Sequence, residues 1–319
     1  MKTRIALALA TLATAFASHA AYPDRPVKLI VPFGPGGFTD VAARILQKEL
    51  QPVLGQPIVI ENKAGAGSTI GTADVAKAAP DGYTLVMVST THVISPHLYK
   101  NMQYDALRDF TPVMKLAEGP YVLVVNEKTL PVKSVKELIA AAKAKPNLIY
   151  YASSGNGSSQ HLVGALFCSM AGAPLNHVPY RGSSQAMNDV LAGTVPVSFV
   201  GVPNALPAVK SGRLRALAVS TAKRYSEMPD VPTLDEAGVK GYDATIWLGL
   251  LAPPNTPREI VDKLNAAITK VLAEPAARKL MSSAGVDVAT STPEQFGALL
   301  KTEYDRWGKV VKETGMVVN

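Results

Sequence analysis

The stretch that decides the fold covers residues 27–54 and reads VKLIVPFGPGGFTDVAARILQKELQPVL. It begins with an aliphatic run from Val27 to Pro32, which is typical of a buried β-strand. A glycine-rich turn follows, and apolar residues then recur at helical spacing from Val41 to Leu54. A strand that leads through a tight turn into a helix is the unit from which α/β folds are built.

The same order of elements recurs along the chain. Further strands are predicted at residues 58–61, 85–89, 121–126, 149–152, 177–180, 195–200, 214–219 and 247–252. Helices are predicted between several of these strands and over residues 257–272, 275–284 and 293–314. The alternation predicts an α/β fold with mainly parallel sheets, in which a ligand binds outside the carboxyl ends of the strands.

Three strand-to-helix turns are rich in Gly, Ser and Thr, and they follow the strands that end at Pro32, Ala152 and Tyr180. The first turn lies in the N-terminal third of the chain and the other two lie in the middle third. Two lobes whose loops face a common cleft would explain this distribution.

Two of these turns, residues 35–40 and 154–158, have the composition of an anion site. Backbone N–H groups at a helix N-terminus are unpaired, and together with the helix dipole they attract negative charge. Neither turn has the glycine and lysine spacing of a phosphate-binding loop, so nucleotide binding is disfavoured. The alternative is that both are ordinary tight turns, with Asp40 as a helix cap or a first-turn acid.

Signatures of known enzyme classes are absent from the sequence, which contains neither Gly-x-Ser-x-Gly nor His-Glu-x-x-His. We interpret His161 and His177 as hydrogen-bonded structural residues. His92 follows a predicted strand and either faces a cleft or is structural. No pair of carboxylates stands out, so the sequence favours binding over catalysis.

The charges are scattered, although the chain carries 32 basic and 25 acidic residues and a net charge of +7. A nucleic-acid-binding protein would have its basic residues on one stripe, so that class is excluded, whereas a mild positive field favours anionic ligands. The single cysteine, Cys168, has no partner for an internal disulfide and no neighbouring zinc ligands. We expect no cofactor and no metal.

The first twenty residues have the three-part layout of a secretory signal peptide. A basic start at Lys2 and Arg4 precedes an apolar run over residues 5–17, and Ser18-His19-Ala20 places small residues at a cleavage site after Ala20. The apolar run is shorter than the roughly 20 residues needed to cross a bilayer. The mature chain is therefore expected to begin near residue 21 in the periplasm.

Motifs spread over the whole mature chain resemble those of one family, the Bug-type or TctC receptors of tripartite tricarboxylate transporters. They include Tyr22-Pro23-Asp24-Arg25-Pro26-Val27, Glu61-Asn62-Lys63, Pro80-Asp81-Gly82-Tyr83-Thr84, His177-Val178-Pro179-Tyr180-Arg181-Gly182, Gly212-Arg213-Leu214-Arg215-Ala216-Leu217-Ala218, Pro229-Asp230-Val231-Pro232-Thr233 and Ala252-Pro253-Pro254. Each motif alone is weak, but their occurrence in order behind a signal peptide is specific.

The resemblance implies a type II periplasmic-binding fold, in which two α/β lobes are joined by two crossing strands. We expect the crossings near residues 121–125 and 247–252. Lobe 1 then comprises residues 21–120 plus 253–319, and lobe 2 comprises residues 121–252. The resemblance also implies that the protein delivers its ligand to the membrane subunits of a tripartite tricarboxylate transporter. We expect the protein to be a monomer.

The ligand class implied by the resemblance is a small carboxylate, either a dicarboxylate, a tricarboxylate or an aromatic acid. The expected ligand-binding residues are Phe33, Gly36, Gly37, Phe38, Thr39, Asp40, Thr91, His92, Ser153, Ser154, Asn156, Ser158, Tyr180 and Val200. Many relatives carry an Asp where Val200-Gly201 stands here, and its absence argues against an amino-acid ligand. Val200, Val202 and Phe33 are expected to form an apolar wall instead.

Two alternative functions use the same fold. An exported enzyme acting on a carboxylate would need a base in the cleft, with His92 or His161 as candidates. A periplasmic sensor module would use the same binding chemistry and would differ only in its signalling partner.

Overall fold

A computed structural model describes residues 22–314 of the chain, so the predicted signal peptide lies outside the described residues. The strands are β1 (Val27–Val31), β2 (Ile58–Asn62), β3 (Thr84–Ser89), β4 (Thr111–Gly119), β5 (Tyr121–Val125), β6 (Tyr150–Ser153), β7 (Asn176–Pro179), β8 (Val197–Gly201), β9 (Arg215–Val219), β10 (Ile246–Ala252) and β11 (Asp287–Val288). The helices are α1 (Phe38–Leu54), α2 (Thr69–Ala76), α3 (Thr91–Leu98), α4 (Val135–Ala144), α5 (Ser159–Ala171), α6 (Ser183–Ala192), α7 (Val202–Lys210), α8 (Arg258–Ala273), α9 (Pro275–Ser283) and α10 (Pro293–Thr314). None of the helices in this described part is long and apolar enough to cross a membrane.

The strands form two sheets, which confirms the predicted two-lobe α/β architecture. The first sheet has the order β11-β4-β10-β3-β1-β2, and the second has the order β7-β6-β8-β5-β9. Parallel pairs join β1 to β2 and β3, and β6 to β7 and β8. However, β10 and β5 run antiparallel to their neighbours. The sheets are therefore mixed rather than mainly parallel, because each contains a strand that crosses from the other lobe.

The two crossing segments lie side by side. One passes from β4 to β5 within residues 119–121, and the other enters β10 at Ile246, which pairs with Gly119. Buried Ser220 ties them together, because its Oγ accepts a hydrogen bond from Tyr121 N (2.9 Å) and donates one to Ala244 O (2.8 Å). Since β10 belongs to the first sheet, we propose that lobe 2 ends near residue 245 rather than at residue 252.

Helix α1 illustrates how the sequence pattern produces the packing. Its apolar stripe, which includes Ala42, Leu46 and Leu50, is buried in a core cluster with strand residues such as Leu29. Burial of each leucine side chain contributes about 1.5–3 kcal/mol. The helix ends at Gly55, whose φ of 71° is a left-handed conformation that glycine adopts without strain. The helix is therefore fixed with its N-terminus just beyond β1.

Gly249 provides a test of this packing. A Cβ atom at this position in β10 would lie 2.1 Å from Cζ of buried Phe296, so Gly249→Ala must displace a core ring. We expect a loss of about 1–3 kcal/mol in the free energy of unfolding, measured by denaturant titration. Gly297→Ala is the matched control, because its Cβ meets only Pro112 at 3.6 Å and alanine favours a helix. Equal stability of the two variants would contradict the packing argument.

Candidate ligand-binding cleft

A cleft with a volume of about 910 Å³ separates the loops of the two sheets. The carboxyl ends of β1, β2, β3, β6, β7 and β8 all lead into segments that line it, as expected for the parallel strands of an α/β protein. The N-termini of α1, α5, α6 and α7 also reach it. The main lining segments are residues 32–39, 64–68, 158–160, 181–185 and 201–204, the last without Val202.

The loop between β1 and α1 is held by Asp40, which is only 1% exposed. One carboxylate oxygen accepts hydrogen bonds from Gly36 N (2.8 Å) and Arg44 Nε (2.9 Å), and the other accepts one from Asn62 Nδ2 (2.9 Å). Burial alone would raise the pKa of Asp40, but these bonds and the Arg44 charge hold it below its usual value. The carboxylate therefore braces the loop, while residues 36–39 line the cleft.

A second glycine-rich segment, residues 64–68, lines the cleft on the same side. Buried Ser68 lies 3.3 Å from the hydroxyl of Thr91, which in turn lies 2.9 Å from the hydroxyl of Ser89. Ser95 Oγ donates to Gly67 O (3.0 Å). These contacts connect the segment to the end of β3 and to α3, and they place a row of hydroxyl groups along this wall.

The loop between β6 and α5 forms part of the opposite wall. Gln160, which is buried, accepts a hydrogen bond from Ser154 N (2.8 Å) and donates one to Phe199 O (2.9 Å). Ser158 caps α5, since its Oγ accepts from His161 N (3.3 Å). The loop is therefore tied to β8 and to its own helix, which fixes the backbone beside Asn156.

Two histidines lie behind this loop with their rings stacked, at a centroid separation of 3.7 Å and an angle of 6°. His161 Nδ1 accepts from Gly157 N (3.2 Å), and His177 Nε2 lies 2.5 Å from Ser153 Oγ. Burial lowers the pKa of His161 to about 4, and burial together with the neighbouring ring lowers that of His177 to about 3. Both rings are therefore neutral at pH 7 and support the loop through hydrogen bonds.

Three helix N-termini reach the cleft without a side-chain cap. The N-cap residues of α1, α6 and α7 are Gly37, Gly182 and Gly201, and no side chain accepts from the first-turn N–H groups of these helices. Such N–H groups carry partial positive charge. Arg181 is the only charged side chain among the described residues that line the cleft, and no carboxylate lines it. The cleft therefore attracts anions.

Nine of the fourteen residues predicted to bind ligand line the cleft in the structure. They are Phe33, Gly36, Gly37, Phe38, Thr39, Thr91, Ser154, Asn156 and Ser158. Direct contact between these residues and a ligand stays a prediction.

Three polar residues of the predicted set do not line the cleft, and we correct their assignment. Asp40 braces the first loop from behind, as described above. Ser153 is fully buried, and its hydroxyl is engaged by His177 and by Gly155. Tyr180 donates its hydroxyl proton to Asp189 Oδ2 (2.7 Å), so it is used within lobe 2.

The other two corrections concern His92 and Val200. His92 is 1% exposed, bonds Ala106 O through Nε2 (2.8 Å) and packs beside Tyr104, and its burial lowers its pKa to about 4. Val200 is fully buried because β8 has core on both faces, and Val202 is buried in the same cluster. The predicted apolar wall therefore retains only Phe33.

Several lining residues were missed by the sequence reasoning. They are chiefly Ala64, Gly65, Ala66, Gly67, Ser68, Tyr121, Arg181, Gly182, Ser183, Gly201, Pro203, Asn204 and Ile246. The glycine-rich turn at 64–68 follows a predicted strand in the same way as the first turn, so this signal was present in the sequence. Tyr121 and Ile246 lie at the lobe crossings and have no local signal. Within residues 22–314, no group of three His, Cys, Asp or Glu side chains is placed to hold a metal ion.

Comparisons with known proteins agree with this geometry. The family model described as "Tripartite tricarboxylate transporter family receptor" matches residues 42–316. The structure of the periplasmic binding protein BugD is 36% identical and superposes with a TM-score of 0.85, covering 93% of this chain and 100% of that one. Rpa4515 of R. palustris with adipate is 36% identical, with a TM-score of 0.87 and coverages of 93% and 100%. MatC of Rhodopseudomonas palustris with bound malate is 34% identical, with a TM-score of 0.82 and coverages of 91% and 100%.

Proposed function

Because the chain belongs to the tripartite tricarboxylate transporter receptor family, we propose that it captures a small carboxylate in its cleft and delivers it to the membrane subunits of such a transporter. The observation that carries the proposal is the charge of the cleft lining, which combines uncapped helix N-termini and one arginine with no carboxylate. The adipate and malate bound to two similar proteins support the same ligand class.

The proposed mechanism is closure of two lobes around the ligand. The crossing segments tied by Ser220 connect the two sheets and serve as the hinge. Closure removes water from the cleft, and hydrogen bonds between backbone N–H groups and an anion are stronger in that low-dielectric environment. The closed form then presents one continuous surface to the membrane subunits.

We also propose that the protein works in the periplasm after cleavage behind Ala20. The basic start, the apolar run and the small residues at 18–20 support export, and a structurally similar protein is a periplasmic binding protein. Mass spectrometry of the protein purified from a bacterial periplasm tests this, because the expected N-terminus is Ala21.

An exported enzyme is the second candidate, since the contact between Ser153 Oγ and His177 resembles a nucleophile beside a base. Ser153 has no exposed surface, however, and His177 has no carboxylate partner among the described residues to orient it. His92 is equally buried and lies outside the cleft. Recovery of an unchanged carboxylate after long incubation would argue for binding, and a product would argue for catalysis.

The first test of the proposed function is a thermal-shift screen of the mature protein. The panel holds monocarboxylates, dicarboxylates, tricarboxylates, aromatic acids, acidic amino acids and neutral analogues of matched size. A ligand that binds only the folded state adds about 2.7 kcal/mol of stability at a hundredfold excess over its dissociation constant. Stabilisation by a carboxylate and none by its neutral amide supports the proposal, and stabilisation by neutral compounds alone contradicts it.

The lack of an acid in the cleft leads to a further expectation about amino acids. An ammonium group enclosed there would meet Arg181 and helix N-termini but no carboxylate, so its desolvation would be uncompensated. We expect an acidic amino acid to bind at least about tenfold more weakly than its deaminated analogue, because an unpaired buried polar group costs 1–3 kcal/mol or more. Calorimetric titration of aspartate against succinate measures the difference, and tighter binding of aspartate would contradict the expectation.

A further inference from the structure

Arg181 is the only charged side chain that the described residues place in the cleft lining. We propose that Arg181 is a specificity-determining residue, which pairs with a second anionic group at the far end of the ligand. This inference rests on the proposed function, because it assumes that a first carboxylate already binds in the same cleft. It goes further by assigning the discrimination between singly and doubly charged acids to one side chain.

The backbone at Arg181 is fixed by its neighbours. Its N–H donates to Gln185 Oε1 (3.3 Å), and the preceding residue, Tyr180, donates through its N–H to Ser153 O (3.0 Å) and through its hydroxyl to Asp189 (2.7 Å). The base of the arginine side chain is therefore held at the end of β7, at the edge of the cleft. Only the long aliphatic stem and the guanidinium remain to be ordered by a ligand.

The side chain of Arg181 is exposed, and its guanidinium makes no ion pair with any residue in the described part of the chain. Several other arginines on this protein are paired: Arg44 with Asp40, Arg215 with Glu127, and Arg258 with Asp262. An unpaired guanidinium beside a cleft that holds no acid keeps its full charge and all its donors for a ligand.

The geometry of the guanidinium explains why Arg181 would favour acids with a second anionic group rather than strengthen the binding of every acid. Its planar fork forms two parallel hydrogen bonds with a carboxylate, which requires that group to lie at a defined position. Residues 36–39 line the cleft from the lobe of the first sheet, whereas Arg181 follows β7 in the lobe of the second sheet. A diacid whose first carboxylate lies at α1 can therefore place its second carboxylate at Arg181, whereas a monoacid has no second group to pair with it.

If Arg181 only attracted anions to the cleft over a long distance, a different experimental result would be expected. A charge that only attracts anions over long distance raises the association rate of every acid and is screened by salt. A charge that pairs with the second carboxylate slows dissociation of diacids alone. Comparison of acids of equal chain length with one or two carboxylates separates the two roles.

The experiment measures dissociation constants by calorimetry for butyrate and succinate, hexanoate and adipate, and octanoate and suberate, with wild-type protein and three variants. The variants are Arg181→Gln, Arg181→Lys and the control Arg213→Gln. Arg213 lies in the same lobe, is exposed, does not line the cleft and has no ion pair among the residues described. Melting temperatures without ligand establish that all variants are folded.

We expect Arg181→Gln to weaken binding of the best diacid by about ten- to a hundredfold, which is the usual effect of losing a charged hydrogen bond, and to change binding of its monoacid partner less than about threefold. Arg181→Lys should restore part of the difference, and Arg213→Gln should change neither value. Equal losses for both acids, or no loss for the diacid, would overturn the inference while leaving carboxylate capture intact. Failure of every acid to bind the wild type would instead overturn the proposed function and this inference with it.

Discussion

Replacement of Asp40 by asparagine should lower the free energy of unfolding by about 2–3 kcal/mol and weaken carboxylate binding by at least about tenfold. The carboxylate accepts three hydrogen bonds while almost fully buried, from Gly36, Arg44 and Asn62. An asparagine offers one oxygen and adds an NH₂ group, so at least one donor would face another donor. The loop that carries the N-terminus of α1 would lose its brace, although Asp40 itself does not line the cleft.

Asp74→Asn is the matched control for this prediction. Asp74 also pairs with a basic residue, Lys63, at 2.7 Å, but half of its side chain is exposed. Exposed ion pairs contribute only about 0–1 kcal/mol, so the control should leave both stability and ligand binding nearly unchanged. Denaturant titration and calorimetry measure the two effects, and an Asp40 variant that behaves like the control would rule out the bracing role.

The fold was predictable because its strands are short aliphatic runs between turn residues. The strand predicted at 27–32 is β1, and the strand predicted at 247–252 is β10 with one residue added. Strand β4 was missed, because its buried positions do not alternate. Two irregularities in its pairing with β10 shift the register, so the side chains on either side of each shift point to the same face. Periodicity cannot reveal a strand that is built in this way.

The parts of the candidate site that are glycine-rich turns could be predicted from the sequence. The parts that depend on contacts between segments distant in the chain could not. The turn at 35–40 was found because strand, glycines and helix follow one another locally. The direction of Val200 depends instead on whether β8 is covered on one face or both, which only the packing of α6 and α7 decides. The role of Asp40 depends on Asn62, which arrives from the next strand. The resemblance to the receptor family suggested a ligand contact in both cases.

The neutral histidines make the stability depend on pH from a higher pH than most carboxylates do. The folded pKa is about 4 for His92 and His161 and about 3 for His177, mainly because burial disfavours the charged ring. The unfolded value is about 6.5. These histidines therefore take up protons on unfolding between pH 6.5 and 4, so stability is fully present above pH 6.5 and is lost as the pH falls through this range.

The size of this loss of stability follows from the number of protons that the histidines take up on unfolding. Each histidine that is neutral when folded and charged when unfolded contributes about 1.4 kcal/mol per pH unit, so the three together give up to about 4 kcal/mol per pH unit near pH 5. The carboxylates protonate mostly below pH 5, because their unfolded pKa values lie near 4. Denaturant titrations at pH 7, 6, 5.5 and 5 measure the slope.

The stacked pair should account for a defined share of this pH dependence. His161→Gln with His177→Gln removes two of the three rings while retaining polar groups beside Gly157 and Ser153. The double variant is therefore expected to lose at least about half of the slope between pH 6 and 5, with His92 and His97 supplying the rest, since burial lowers the pKa of both. An unchanged slope in the double variant would mean that the rings are already charged in the folded state, in contradiction to their stacking at 3.7 Å.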